Sequence, residues 1–213
     1  MPSAKVRILF ALFAVGFGTN VATPLFLIYE DRLGLSTWTL TALFAIYPIG
    51  LAPALVFSGP ASDVLGRRVV IMPGVLLSGV ASLVMLFGGN TVVMLYIGRF
   101  LLGVVSGVVF VVASAWMQEV GSENPLLTSR QLGAVMYIGF GAGPMVSGVI
   151  GQWGSAPLVI PYVAHVVLIA AGVALVLGAP ETVTRDTSRR IRPNLGMPRE
   201  SVKDFVTVVA PTA

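Results

Sequence analysis

Arg99 is the one permanently charged residue deep inside an apolar run of this chain, which extends over residues 92–117. Burying its guanidinium in a bilayer costs at least about 2.5–3.5 kcal/mol, so a charge retained there should face a cavity or a partner. The alternative is a side chain that snorkels to the outer interface. Ser106 and Phe110 follow Arg99 along one helical stripe, and Asn20 and Thr23 share a face of the first apolar run. These five residues are the candidates for contact with a ligand, and Asn20 could instead hydrogen-bond another helix.

His165 is the only histidine, and the chain has no cysteine. An imidazole could relay protons near neutral pH, or it could have a hydrogen-bonded structural role. With one His, no Cys and no paired acids in the apolar runs, we expect no metal site. The sequence has no evident Ser-His-Asp set or phosphate-binding Gly loop, so we expect neither a cofactor nor enzymatic activity.

The composition predicts the environment of these residues. Of the 213 residues, 56% are hydrophobic and only 10% are charged, with a mean hydropathy of +0.92. A soluble domain carries about 25% charged residues, so the chain is predicted to be an integral membrane protein. In a membrane protein, a net charge of +4 reflects the orientation of the spans and the attraction of basic residues to anionic lipids. We therefore expect no nucleic-acid partner.

Charge-free runs of about 20 residues can cross a bilayer as helices. We predict an all-α fold with six spans, at residues 8–29, 38–58, 69–89, 92–117, 131–153 and 158–179. Pro24 should kink the first span and free a carbonyl, while Pro48 and Pro53 should break the second. The charged residues 30–32 should end the first span.

The basic residues predict the orientation of these spans. Eleven of the thirteen Lys and Arg residues fall on one side, Arg32 falls on the other, and Arg99 lies between. The positive-inside rule makes the first side cytoplasmic, together with the N-terminus. We expect a cytoplasmic N-terminus at 1–5, a bundle at 6–179, a cytoplasmic loop or tail at 180–204, and the start of a truncated seventh span at 205–213. An interfacial tail is the alternative for the last segment.

The polar segment 59–68 separates the second and third runs, and we predict a cytoplasmic turn there. Gly59 would let two helix ends approach, and Gly66 can take a positive φ. Asp63 is an anion suited to the positive N-terminus of a neighbouring helix. The spacing Gly-x-x-x-Asp-x-x-Gly-Arg-Arg resembles the loop between the second and third spans of the major facilitator superfamily, Gly-x-Leu-Ala-Asp-Arg-x-Gly-Arg-Lys. The chain departs from that pattern at Ala61, Ser62, Val64 and Arg68.

A segment around Arg99, Leu95-x-x-x-Arg99-x-x-x-Gly103, is similar to the fourth-span pattern of the same family. Leu102 and Val105 stand where that pattern has Gln and Gly. The resemblance implies a role for Arg99 in proton coupling or anion contact. Many proton-coupled relatives carry an acid in the first span, and this chain has none before Glu30.

A third segment, Gly139-Phe-Gly-Ala-Gly143-Pro144-Met-Val-Ser147-Gly148, resembles the fifth-span pattern Gly-x-x-x-Gly-Pro-x-x-Gly-Gly. In the family this pattern is enriched among drug–proton antiporters and is thought to seal the interface between the two halves. The resemblance implies that role for Gly139, Gly143, Pro144 and Gly148. Generic close packing of small residues is the alternative.

Charged residues flank the polar segment at one membrane depth. A salt bridge from Arg67 or Arg68 to Glu119 is feasible there, and the family shows a comparable charge cluster. An exposed pair contributes only about 0–1 kcal/mol to stability, so its expected role is to bias two conformations during gating. Asp63 would add to this by meeting a helix of the other half.

The resemblance as a whole covers residues 6–183 and implies a six-helix, N-terminal half of a major facilitator fold. Such a protein is a secondary transporter in the plasma membrane, here an efflux antiporter for a small organic solute, with protons as a candidate coupling ion. The alternatives are a sugar or metabolite symporter or uniporter, and a non-transporting half that pairs with another subunit. The implied partners are the substrate, the lipid bilayer, and the missing C-terminal half or a second copy.

Overall fold

The computed structural model describes residues 3–186 together with Ser188, Arg190 and Ile191, and over these residues it is all-helical. The segment 205–213, for which a seventh span is predicted, lies outside the described residues. The α-helices are α1 (Ala4–Val21), α2 (Phe26–Leu33), α3 (Thr37–Leu65), α4 (Arg67–Leu86), α5 (Val92–Val120), α6 (Pro125–Trp153) and α7 (Ile160–Leu177), with a 3-10 turn at Phe87–Gly89. Within this part of the chain, six stretches are long and apolar enough to cross a membrane, which confirms the predicted number of spans.

The first span consists of α1 and α2, separated by a turn at residues 22–25 around Pro24. Pro24 has no backbone N–H, so the carbonyl of Asn20 loses its usual helical donor and instead accepts from Thr23 at 3.0 Å. The predicted break is therefore present. The expectation that residues 30–32 end the span is wrong, because α2 continues to Leu33 and closes at Gly34, whose φ of 62° is left-handed.

The prediction of a polar turn over residues 59–68 is also wrong. Helix α3 continues through Pro60 to Leu65, and of this segment only Gly66, with φ of 104°, is non-helical before α4 begins. Polar side chains in this stretch bond across helical turns: Ser62 Oγ donates to the backbone carbonyl of Gly59 at 2.8 Å, and Arg67 pairs with Asp63 four residues earlier. Pro48 and Pro53 likewise lie inside an unbroken α3, so the expected break at those residues is absent.

The connection between the fourth and fifth spans is shorter than predicted. Helix α5 extends to Val120 and therefore includes Glu119, while α6 begins at Pro125 and includes Arg130. Asn124 caps α6 by accepting from the backbone N–H of Leu127 at 3.0 Å. An Asn cap followed by Pro at the first helical position is a sequence signal for the start of a helix. The polarity of the segment nevertheless leads to the prediction of a loop.

Helix α5 lies at the centre of the bundle, against α1, α3 and α4. Its approach to α3 is close because Gly103 and Gly107 present backbone to that helix. A Cβ added at Gly103 would overlap the carbonyl of Tyr47, and one at Gly107 would overlap Ala54. In a membrane, where lipid competes with side chains for apolar contact, such close backbone approach favours helix association.

Helix α1 packs on α6, α7 and α5, whereas α3 and α6 expose most of their side chains at the two flanks. Large exposed residues on these flanking helices are Trp38, Phe57, Tyr137 and Trp153. The buried residues form two apolar clusters, one centred on Trp116 and one on Tyr29. The bundle thus encloses residues of α1 and α5 more completely than those of α3 and α6.

Gly107→Val should lower the thermal stability of the protein, because the new side chain must force α3 and α5 apart. The matched control is Gly133→Val on α6, where a Cβ would meet no other atom within 4 Å. Overpacking of this kind costs about 1–3 kcal/mol. Thermal unfolding in detergent should show a clear drop for Gly107→Val only, and equal drops would contradict the close α3–α5 contact.

Candidate functional site

The Arg99 site lies between α1, α3 and α5. The side chain is 4% exposed, so it does not snorkel to an interface. Its Nε donates to the carbonyl of Leu43 and its Nη1 to the carbonyl of Thr19, both at 3.3 Å. Among the described residues, no carboxylate lies within salt-bridge distance of the guanidinium.

Three aromatic rings complete the enclosure of Arg99. The guanidinium carbon lies 5.6 Å from the ring centre of Phe26, 5.5 Å from that of Phe44 and 5.1 Å from that of Tyr47. A ring face attracts a cation, by about 2 kcal/mol or more when the pair is desolvated. Sequence reasoning missed these three residues, because aromatic side chains in apolar runs are ordinarily only core.

Of the four predicted candidates Asn20, Thr23, Ser106 and Phe110, the described contacts connect only Ser106 to the Arg99 site. Ser106 is buried and joins the site through Thr19, whose Oγ1 lies 3.2 Å from Ser106 Oγ. Phe110 instead packs edge-to-face on Phe140 of α6, with ring centres 5.2 Å apart. Asn20 in the last turn of α1 and Thr23 just after this helix are both half-buried. The backbone N–H of Thr23 donates to the carbonyl of Asn20.

At the other end of α5 lies a second group of polar residues, the Arg67 cluster: Ser62, Asp63, Arg67, Glu119, Glu181 and Thr182. The guanidinium of Arg67 is 2.6 Å from Asp63 Oδ1 and 2.6 Å from Glu119 Oε1. It also donates to Ser62 Oγ at 2.5 Å. The predicted contact between Arg67 and Glu119 is therefore confirmed. Arg68 instead donates to the carbonyl of Leu177 at 3.1 Å.

Glu181, which sequence reasoning missed, caps the N-terminus of α4. Its two carboxylate oxygens accept the backbone N–H groups of Arg67 at 2.8 Å and Arg68 at 3.0 Å. A carboxylate at this helix end satisfies orphan donors and complements the helix dipole. Thr182 donates to Glu119 Oε2 at 2.5 Å, so the chain after α7 ties the ends of α4 and α5 together. The only sequence signal is the Pro-Glu-Thr that follows the sixth span.

The glycine motif of α6 faces α1 within this same bundle. A Cβ at Gly143 would overlap the carbonyl of Phe17, and one at Gly139 would lie 3.0 Å from that of Phe13. Gly148 lies over the side chain of Pro24. These contacts bring α1 and α6 close together, while the role of the motif between two halves stays a prediction.

A sequence profile of the Major Facilitator Superfamily matches residues 8–208 of the chain. The chain belongs to this superfamily, and its six spans form one half of the family's fold. It is 30% identical over 141 residues to the class H tetracycline resistance protein of Pasteurella multocida, covering 66% of this chain and 34% of that protein.

Two other relatives also have names that refer to drug resistance. The quinolone resistance protein NorA of Staphylococcus aureus is 24% identical over 67% of this chain and 37% of its own length. The multidrug resistance protein MdtL of Shewanella oneidensis is 33% identical over 42% of this chain and 22% of its own length. The chain thus spans between 22% and 37% of the length of these relatives.

Charge reversal at Arg67 should impair function, and Glu119→Arg should partly restore it. Arg67→Glu places three carboxylates together, whereas the double variant restores one opposite pair and leaves the repulsion from Asp63. Substrate flux per folded protein in membranes is the measurement. The matched control is Arg68→Glu, whose side chain does not contact Glu119, so Glu119→Arg should not rescue it. Additive losses in the Arg67 double variant would contradict the pairing.

Proposed function

We propose that this chain forms the N-terminal half of a secondary transporter that exports a small organic solute by alternating access, as an antiporter. The observation that supports it most is the burial of Arg99 within the bundle. Ionisable residues at membrane depth are costly and mark ligand or ion pathways. The carbonyl groups of Leu43 and Thr19 carry only partial charges, so they solvate the guanidinium without neutralising it.

Arg99 retains a capacity to bind a further group. Among the described residues, its Nη2 has no bonded acceptor, although Nε and Nη1 are engaged. An oxygen of a substrate, or an acid of another transmembrane segment, would supply the missing acceptor. The flanking rings of Phe26, Phe44 and Tyr47 suit a ligand that is itself aromatic and apolar.

The Arg67 cluster is proposed as the element that biases the transporter between its two access states. It joins α3, α4, α5 and the chain after α7 through charge-assisted hydrogen bonds. A conformational equilibrium changes tenfold for each 1.4 kcal/mol or so, and a partly exposed ion pair contributes about 0–1 kcal/mol. Breaking the pairs of Arg67 with Asp63 and Glu119 together is therefore enough to shift the populations of the two states severalfold. Gly59, Asp63, Gly66 and Arg68 are included in this proposal as parts of the same α3–α4 connection.

The direction of transport and the type of substrate are inferred from relatives whose names refer to tetracycline, quinolone and multidrug resistance. The proposed substrate is accordingly a lipophilic drug-like molecule, exchanged for protons. The proposed location is the plasma membrane, with the N-terminus cytoplasmic. The second half, or a second copy, would complete the binding site between the halves of the fold.

Transport is tested in inside-out membrane vesicles from cells that produce the full natural protein. Uptake of tetracycline or a fluorescent quinolone that requires a proton gradient, and is lost with a protonophore, would support efflux by antiport. Accumulation of a sugar or another metabolite in right-side-out vesicles would instead support the symporter or uniporter. No flux of any of these solutes, with the protein correctly inserted, would support the non-transporting half.

Arg99→Gln should lower this flux at least about tenfold, because glutamine retains hydrogen-bond donors but removes the positive charge. Arg99→Lys should recover only part of the flux, since an ammonium keeps the charge but lacks the planar fork with which Nε and Nη1 donate to two separate carbonyls. The measurement is initial flux normalised to protein in the membrane. Normal flux in Arg99→Gln would exclude this residue from the transport pathway.

A further inference from the structure

We propose that His165 is a positioning residue for the Arg99 site: it holds the last turn of α1 so that Thr19 meets both Arg99 and Ser106. The imidazole lies on α7 and is fully buried. The proposal rests on the proposed function only in giving Arg99 a role in transport. The position of the last turn of α1 can be tested without any transport assay.

The imidazole is fixed in place by α4. Its Nδ1 lies 2.6 Å from Ser82 Oγ, and its Nε2 lies 3.5 Å from Ser78 Oγ. Both serines are themselves buried. A buried hydroxyl without a partner is costly, so the short contact with Ser82 fixes the orientation of the ring.

The opposite side of the ring lies directly against the backbone of α1. A Cβ added at Gly18 would overlap the imidazole atoms Cε1 and Nε2, so only glycine leaves room for the ring at this place. The ring also stacks on Phe17, with centres 6.3 Å apart and planes inclined by 23°. The contact therefore involves the two residues that precede Thr19.

Thr19 is the residue of α1 that contacts the Arg99 site. Its carbonyl accepts from Arg99 Nη1 at 3.3 Å, and its hydroxyl lies 3.2 Å from Ser106 Oγ. The helix ends two residues later at Val21, so the turn that carries Thr19 lacks support from a continuing helix. A side chain packed behind Gly18 supplies support from α7 instead.

Loss of a positioning residue should change the structure at the Arg99 site, whereas loss of an ordinary core residue should change it only where that residue packs. Ile169 is a buried residue on the same helix that packs on Gly79 of α4. Removing its side chain should loosen the α4–α7 contact without moving Thr19. Ile169→Ala is therefore the matched control for His165→Ala.

This chain has no cysteine, so an introduced cysteine is its only thiol and allows a test that needs no substrate; any cysteine elsewhere in the full protein is first replaced by serine. Ser106→Cys is nearly isosteric, and its thiol should react slowly with a small methanethiosulfonate while residue 106 stays buried beneath Thr19. Thr128→Cys provides a second buried thiol, at the α5–α6 connection, that reports general loosening. Both are measured in membranes containing the full natural protein.

We expect His165→Ala to raise the labelling rate of Cys at position 106 at least about tenfold, and to leave the rate at position 128 unchanged. His165→Asn, which retains a polar atom near the place of Nδ1, should restore most of the protection. Ile169→Ala should change neither rate.

A size-compensating pair adds a second criterion. Gly18→Ala should by itself expose position 106, because its methyl group and the imidazole cannot both fit. Combined with His165→Ala, the same methyl group fills part of the vacated space and should lower the labelling rate below that of His165→Ala alone. An unchanged rate at position 106 in His165→Ala, or equal rises at positions 106 and 128, would overturn the proposal. Neither outcome depends on transport, so a failure of the proposed function remains distinguishable.

Discussion

A guanidinium group inside an apolar bundle needs acceptors for its N–H groups and some compensation for its charge, and the centre of this half-fold meets both needs. Hydrocarbon offers neither, so the protein itself must surround Arg99. The acceptors are backbone carbonyls of Thr19 and Leu43, and the compensation includes three aromatic ring faces. Hydrogen bonds to carbonyls and contacts with ring faces both depend on orientation. Helices α1 and α3 must therefore contact α5 at defined positions along its axis.

Close backbone approach makes this arrangement possible. Gly103 and Gly107 bring α5 against α3, while Gly139 and Gly143 bring α6 against α1. Side chains at these positions would separate the helices and move the carbonyl groups away from Arg99. Gly139 and Gly143, to which the resemblance assigns a place between the two halves, thus also help to build the static site within this half.

The Arg67 cluster shows a different dependence, on residues far apart in the chain. Glu181 follows the sixth span, yet it caps the third, and Thr182 bonds the end of the fourth. Because Glu181 and Thr182 are adjacent in the chain and bond the ends of α4 and α5 respectively, moving either helix breaks bonds that the other retains. This coupling makes the connection after α7 part of the same mechanical unit as the α3–α4 reversal.

The sequence by itself determined the class of fold, the number of spans and the kink at Pro24, allowed a positive φ at Gly66, and left Glu119 with either Arg67 or Arg68 as its partner. These features follow from local hydrophobicity, from the chemistry of Pro and Gly, and from charges at one membrane depth. Polarity alone led to errors at residues 59–65, where a helix continues beyond the apolar run because its polar side chains bond across turns. Only the tertiary structure decided that Phe26, Phe44 and Tyr47 surround Arg99, that Glu181 caps α4 and that His165 lies behind Gly18. The physical reason is that these contacts depend on how helices distant in sequence rotate and approach, which the order of residues along any one helix does not specify.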